Sequence, residues 1–332
     1  MIAQLDSFYI KTRPWKLWSR LVSYALFEGR PLTTRGRWIN PLLFLLFSIE
    51  KRLPQLRPVK KPVFIIGTGR SGTTILGKII SIHKDVGFLN EPKAMWHYIY
   101  PCEDVIGNYT RGSAFYRLDE KVVTSETVKV AHRLYGAYLA FSSSWRVVDK
   151  YPELIFRSTF VKAIFHDAKF IFLVRNGWDT IQSIKDWSER FSIKTNNEIH
   201  DWWGYNRRKW NLLLEQIVPE HEDLLPHMMT IQNLNNHTEM AAIEWIVTMR
   251  EGLKVMEKYP NDALMVKYED ICNEPHEYLN KVISFLELDE DNKVIQYSLK
   301  VLKPKKPKAP CLLNKVIEVP FLNTMKQVGY ID

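Results

Sequence analysis

Apolar positions along the chain follow two rhythms. Short, nearly unbroken runs such as "VFII" (63–66), "GFL" (87–89) and "KFIFLV" (169–174) alternate with longer stretches in which apolar residues recur at three- and four-residue spacing. The first rhythm suits strands buried on both faces, the second amphipathic helices. The pattern predicts strands at Val63–Ile66, Val86–Leu89, 145–150, Lys169–Val174 and 263–268. Helices are expected at Thr73–Ser81, about 119–140, Ile155–His166, Trp178–Arg190, 196–217, 239–258 and Glu277–Leu288. Strands alternating with helices imply an α/β fold, with a central parallel sheet flanked by helices.

The two ends break this alternation. Residues 1–60 read as an N-terminal helical extension, closed by Pro54, Pro58 and Pro62, and 61–299 as the main domain. Residues 300–332, opening "KVLKPKKPKAP", read as a Lys/Pro-rich tail. Within the extension, "RPWKLWSRLVSYALF" sets Trp15, Trp18, Val22 and Ala25 on one helical face, with Lys16 and Arg20 off it. Such a face packs on a core or lies on a membrane surface, and amphipathicity alone does not choose. The run "LLFLLFSI" (42–49) is far shorter than the roughly 20 residues needed to span a bilayer.

Charge follows the same division. The net charge of +9 is carried by the ends: residues 1–61 hold 12 Lys/Arg against Asp6, Glu28 and Glu50, and 7 Lys fall from Lys300 onward. The middle is mildly acidic. This argues against a nucleic-acid-binding core and for ends that meet an anionic surface. Cys102, Cys272 and Cys311 are widely spaced and odd in number, so neither a disulfide framework nor a zinc site is expected, and a reducing compartment is. With no secretory signal visible, the expectation is a cytoplasmic protein, with the N-terminal segment as its candidate membrane contact.

The stretch "VFIIGTGRSGTT" (63–74) runs from a strand into a Gly-rich turn and a helix, an arrangement that holds phosphate on backbone N–H groups. Gly67, Gly69 and Gly72 satisfy the dinucleotide fingerprint, and Gly67 and Gly72 the spacing of a nucleotide-hydrolase loop. The flanks discriminate. Thr73 stands where a hydrolase or kinase needs Lys, and Arg70 puts a fixed charge into a turn where a dinucleotide has no use for it. A smaller, highly anionic group, gripped by Arg70 and by the Ser71, Thr73 and Thr74 hydroxyls without metal, fits better. A second motif, "RNGWDTIQS" (175–183), follows the strand "KFIFLV". It puts Arg175 at the carboxyl end of the sheet, where such folds bind ligands, and Ser183 two helical turns on.

This pair of motifs resembles the sulfotransferase family, whose donor is 3′-phosphoadenosine 5′-phosphosulfate (PAPS). The first motif looks like the family's 5′-phosphosulfate loop, and the second like its 3′-phosphate site. The segment 264–288, "LMVKYEDICNEPHEYLNKVISFLEL", is similar to the closing segment in which Tyr268 would lie near the nucleotide. The resemblance implies a P-loop-like α/β fold and transfer of a sulfuryl group to an acceptor hydroxyl. The products would be the sulfated acceptor and adenosine 3′,5′-bisphosphate (PAP), and no metal is required. It implies donor contacts from Gly69, Arg70, Ser71, Gly72, Thr73, Thr74, Arg175, Ser183 and Tyr268.

Arg70 replaces the Lys of cytosolic small-molecule enzymes and looks like the Arg-Ser-Gly-Thr-Thr of tyrosylprotein and bacterial members. Gly177 replaces a common proline, and Ile75 an adenine-stacking Trp. The same likeness makes Glu91, in "GFLNEPKAMW", the general base and Lys150, ending "RVVDK", the group that stabilises the leaving oxygen. Glu91 as a turn carboxylate and Lys150 as a partner of Asp149 or Glu153 are the plainer alternatives. The aromatics Trp96, Tyr98, Tyr100, Trp187, Trp202, Trp203 and Tyr205 are candidate walls for a carbohydrate, glycolipid or other lipid-like alcohol. The rival functions are a P-loop-like kinase or hydrolase and a non-catalytic nucleotide-binding protein at a membrane surface.

Overall fold

The computed structural model describes residues 2–331 apart from 35, 196 and 197. Three helices come first: α1 (Ser7–Thr12), α2 (Lys16–Leu26) and α3 (Asn40–Glu50). The main domain then alternates as expected through β1 (Val63–Gly67), α4 (Thr73–Ser81), β2 (Val86–Asn90), α5 (Lys93–Ile99), α6 (Ser125–Phe141) and β3 (Arg146–Lys150). It continues through α7 (Ser158–Ile164), β4 (Lys169–Val174) and α8 (Gly177–Phe191). After an inserted antiparallel sheet come α9 (Arg208–Gln216), α10 (Met228–Gln232), α11 (His237–Lys258), β8 (Ala263–Lys267), α12 (Tyr268–Asn273), α13 (Pro275–Phe285) and α14 (Asn292–Val301). The chain's last helix is α15 (Lys315–Gln327).

The five main strands are all parallel, in the order β2-β3-β1-β4-β8. Alternate residues of β1 serve opposite layers. Phe64 and Ile66 join the core that includes α6, α7 and α11, while Val63 and Ile65 join the one built with α4, α13 and α14. Both faces are dry, which is why these strands read as continuous apolar runs. Because the strands are parallel, their carboxyl ends lie along one edge, and the residues that follow them share that edge.

Two expectations need correction. The helix expected at 196–217 begins only at Arg208. Before it lie β5 (Ile193–Thr195), β6 (Glu198–Asp201) and β7 (Gly204–Tyr205), an antiparallel sheet, with 196 and 197 outside the described residues. Gly204, Asn206 and Arg207 all have positive φ, which no helix interior accepts. In the tail, residues 302–314 form no helix or strand. Beyond them, α15 buries Ile317, Phe321 and Met325, a helical spacing that the internal Pro320 obscured.

The second correction concerns α2, whose buried face keeps Val22 but is otherwise turned away from its apolar residues toward Lys16, Ser19, Arg20 and Ser23. Lys16 and Arg20 are buried, whereas Trp15 and Trp18 are 49% and 60% exposed. The cause is β2, the outermost strand. Lys16 donates to the Val86 carbonyl, and Arg20 donates to the Phe88 carbonyl at 2.8 Å while pairing with Glu28. Peptide acceptors left buried without a donor cost about 1–3 kcal/mol each, enough to outweigh turning two indoles outward.

Candidate active site

The edge formed by the strand ends holds a cavity of about 380 Å³. Gly69, Arg70, Thr73 and Thr74 reach it from the turn after β1, Glu91 from the turn after β2, and Lys150 from the last position of β3. The register explains the gathering of the last two, since Asn90 and Lys150 are direct partners and the Glu91 N–H donates to the Lys150 carbonyl at 2.7 Å. A second cavity, of about 430 Å³, lies between α3, α5 and α6, and none of the motif residues lines it.

The two phosphate-type motifs meet. The Arg70 Nε donates to the Ser183 hydroxyl at 3.2 Å, and an Arg175 Nη donates to the Arg70 carbonyl at 3.0 Å. Arg175 also stacks over the Tyr268 ring, 5.0 Å from its centroid. That ring lies against the turn so closely that a Cβ on Gly72 would come within 2.3 Å of it. Burial, and then the neighbouring charge of Arg175, lower the pKa of Arg70. The Arg175 Nε is buried without a partner, and the carboxylate of Asp179 stands 3.9 Å from its guanidinium. Two cations thus converge on the turn, their repulsion offset in part by Asp179, a setting that a bound anion would complete. The Ser71 hydroxyl donates instead to the Thr68 carbonyl inside the turn.

Glu91 sits in a different setting. Its carboxylate accepts from Lys150 and lies 3.2 Å from the Lys93 ammonium. The chain of charges continues from Lys93 to Glu153 (3.6 Å), to Lys209 (3.8 Å) and to Glu244 (2.5 Å), where the Trp202 indole N–H donates at 2.6 Å. Three ammonium groups and three carboxylates alternate, all buried except Glu91, which is half-buried. Burial pushes the Glu91 carboxyl up, but Lys150 and Lys93 outweigh it and hold the group well below the usual carboxylate range. The same balance lowers Glu153, and it raises Lys93 and Lys209.

Arg70 and Glu91 share one further property: both have positive φ, +70° and +52°. Such backbone costs on the order of 1 kcal/mol at a non-glycine residue and tends to be kept at working sites. Of the candidate aromatic walls, Trp187 and Trp202 line the cavity, edge to face at 5.4 Å. Trp202 rests on the phosphate-type turn, where a Cβ on Gly69 would meet it at 2.4 Å. Trp96 and Trp203 are core residues, Tyr98 lines the second cavity, and Tyr205 lies beneath Arg111.

Several cavity residues escaped the sequence reading. Lys93 stands two positions from Glu91, a spacing that could have been noticed. Lys209 and Glu244 come from α9 and α11 with no local mark, and Thr33 and Thr34 come from the N-terminal extension. Among the described residues no group of three or more His, Cys, Asp or Glu is placed to hold a metal ion, and no helix is long and apolar enough to cross a membrane.

Comparison with known proteins bears on this geometry. A protein-tyrosine sulfotransferase of Drosophila melanogaster is 26% identical over 222 residues, 64% of this chain and 41% of that protein. An uncharacterized protein of Aquifex aeolicus is 23% identical over 266 residues, 78% of this chain and 29% of that one. The chain thus spans less than half the length of either relative. Among solved structures, the sulfotransferase domain of the Synechococcus PCC 7002 olefin synthase aligns with 84% of this chain and 98% of its own. It does so with a TM-score of 0.49 and 16% identity. The model of the sulfotransferase family matches residues 62–292, which contain both phosphate-type motifs, Glu91 and Lys150, and the chain therefore belongs to the sulfotransferase family.

Proposed function

We propose that the protein transfers the sulfuryl group of PAPS to the hydroxyl of a carbohydrate or lipid-like alcohol. The observation that carries the donor half is the convergence of Arg70 and Arg175 on the turn after β1. A nucleotide with phosphates on both sides of its ribose fits two such grips better than a mononucleotide does. The turn amides from Gly69 to Thr74, with Arg70, would hold the 5′-phosphosulfate. Arg175 and Ser183 would hold the 3′-phosphate, with Tyr268 stacked beside them.

In this reading Glu91 takes the acceptor's hydroxyl proton as the acceptor oxygen bonds to sulfur. The bond from sulfur to the 5′-phosphate oxygen breaks, and PAP leaves with the electron pair. Lys150 meets the charge developing on that oxygen. The resting contact of Lys150 with Glu91 gives the pair a division of labour. While Lys150 stays on Glu91, the carboxylate is a weak base. As Lys150 turns to the leaving oxygen, that restraint is lifted and the basicity of Glu91 rises. Trp187 and Trp202 would offer ring faces to a sugar or an apolar alcohol.

The test is calorimetric titration of the protein with PAP, with and without magnesium, beside ATP and NAD. Tight, magnesium-independent binding of PAP that is lost in Arg175→Ala is the expected result. Preference for ATP or NAD would return the protein to the hydrolase or dehydrogenase class.

A further inference from the structure

The extension that closes one wall of the cavity also carries a row of exposed apolar side chains. Helix α3 buries Leu43 and Phe47 but turns Leu42, Leu45 and Ile49 outward, each more than half exposed. These three lie on one face at helical spacing, with Trp38 just before the helix still more exposed. A second exposed group lies on α2 and α6: the exposed Trp18 donates its indole N–H to the carbonyl of the exposed Phe141 at 2.9 Å, and the buried Phe27 and Phe47 pack between this group and α3. The exposed Trp145 lies four residues beyond Phe141, beneath the Arg57 guanidinium at 4.4 Å.

Exposed basic residues flank α3, although Glu126 also reaches the surface beside it. Of the extension's basic residues, Arg13, Lys16, Arg20 and Arg30 are turned inward onto carboxylates or carbonyls. Arg37 and Arg52, at the two ends of α3, and Arg57 beside Trp145 remain on the surface. The one carboxylate of α3, Glu50, is buried. An apolar helix face, rimmed by indoles and arginines, matches the layering of an anionic bilayer surface: acyl chains, then interface, then phosphate.

We propose that this face docks on an anionic lipid bilayer, with the outer row of α3 among the acyl chains and Trp18, Trp38 and Trp145 at headgroup level. At 11 residues α3 is about 16 Å long, so it lies in the interface and does not span it. Docking also reaches the cavity. Asn40, the first residue of α3, accepts from the Arg30 N–H at 2.8 Å and donates to the Arg30 carbonyl at 2.9 Å. The segment that follows, Pro31–Thr34, lines the cavity, and Thr34 is within about 14 Å of chain from Trp38. An alcohol borne on a lipid headgroup would therefore meet the enzyme at the wall of its cavity. This last step rests on the sulfotransfer reading; the docking itself does not.

The experiment is co-sedimentation of the full chain with phosphatidylcholine vesicles, with and without phosphatidylglycerol. The Leu45→Glu/Ile49→Glu double variant and Arg52→Glu are carried in parallel. All three positions are on the surface, and PAP affinity, measured on the same preparations, reports separately on folding and on the donor site. Binding should be at least about tenfold stronger to the phosphatidylglycerol vesicles. It should fall by about 100-fold in the double variant and by several-fold in Arg52→Glu, with PAP affinity unchanged. Failure of the wild type to sediment with either vesicle, or equal sedimentation of the double variant, overturns the proposal. So does a concentration-dependent dimer that the double variant abolishes, which would assign the face to a second copy of the chain. Loss of PAP binding by the wild type, with vesicle binding intact, would remove the sulfotransfer reading and leave the docking standing.

Discussion

Two groups of charges, which meet at the cavity through Arg70 and Glu91, are built on opposite plans. From Lys150 through Glu91, Lys93, Glu153 and Lys209 to Glu244, every charge has an opposite neighbour, and the set is neutral and nearly all buried. At Arg70 and Arg175, two like charges approach each other and one buried guanidinium nitrogen has no partner. A complete network fixes positions and tunes the basicity of its members, whereas an incomplete one holds affinity in reserve for an anion. In the proposed reaction the first group would do the chemistry and the second hold the donor, and substitution can test whether the two parts separate as cleanly as they look.

The largest effect is expected at Glu91. Glu91→Gln should lower sulfuryl transfer by about 1000-fold while PAP affinity stays within about threefold, measured by single turnover and calorimetry. Equal loss of both would merge the two groups into one site. Next comes the arginine pair: Arg175→Ala should weaken PAP binding by about 100-fold, and raising the salt concentration should weaken the wild type but scarcely the variant. A third test works on the tuning alone. Because Lys93 helps hold Glu91 below the usual carboxylate range, the acid limb of the pH–rate profile should lie below that range in the wild type. Lys93→Met should move that limb upward by about one pH unit, since a base is active only above its own pKa. An unmoved limb would show that the network positions Glu91 without tuning it.

The smallest effect concerns a charge that belongs to neither group. Glu50 is buried with both carboxylate oxygens unpartnered, and burial raises its pKa to about 8. The unfolded chain releases that proton near pH 4.5, so between about pH 4.5 and 8 the folded state holds a proton that the unfolded state has lost. Stability from this group is full below that window and is lost as pH rises through it. Glu50→Gln should flatten the slope and stabilise the protein at pH 8 by about 1–2 kcal/mol, read from urea unfolding at several pH values.

The parts of this molecule that were legible in the sequence are those where one local rule was enough. Lys169–Val174 read as a strand because both its faces are dry, and the turns after β1 and β4 announced themselves by glycine and arginine at fixed spacing. Where two rules competed, the reading failed. In α2 apolar periodicity lost to the unpaired carbonyls of β2, and nothing in residues 16–26 mentions β2. Lys209 and Glu244 complete a network whose other members lie 56 or more positions away in sequence, so only the fold could assemble it.

Gly177 was legible only as a departure. Its reason lies in α15, since a Cβ there would stand 2.5 Å from the Phe321 ring and 2.8 Å from the Met325 sulfur. This glycine inside the second motif is the seat of a helix about 140 residues further on.

The lysine and arginine that α2 lays along β2 have a consequence for the protein's survival. The outer edge of a sheet is a template on which any extended chain, including another copy of this one, can add a strand. With Lys16 and Arg20 occupying the Val86 and Phe88 carbonyls, that invitation is withdrawn. A chain synthesised or cleaved without its first 30 residues would keep its motifs and still be prone to aggregate, because it would present a sticky border to its neighbours.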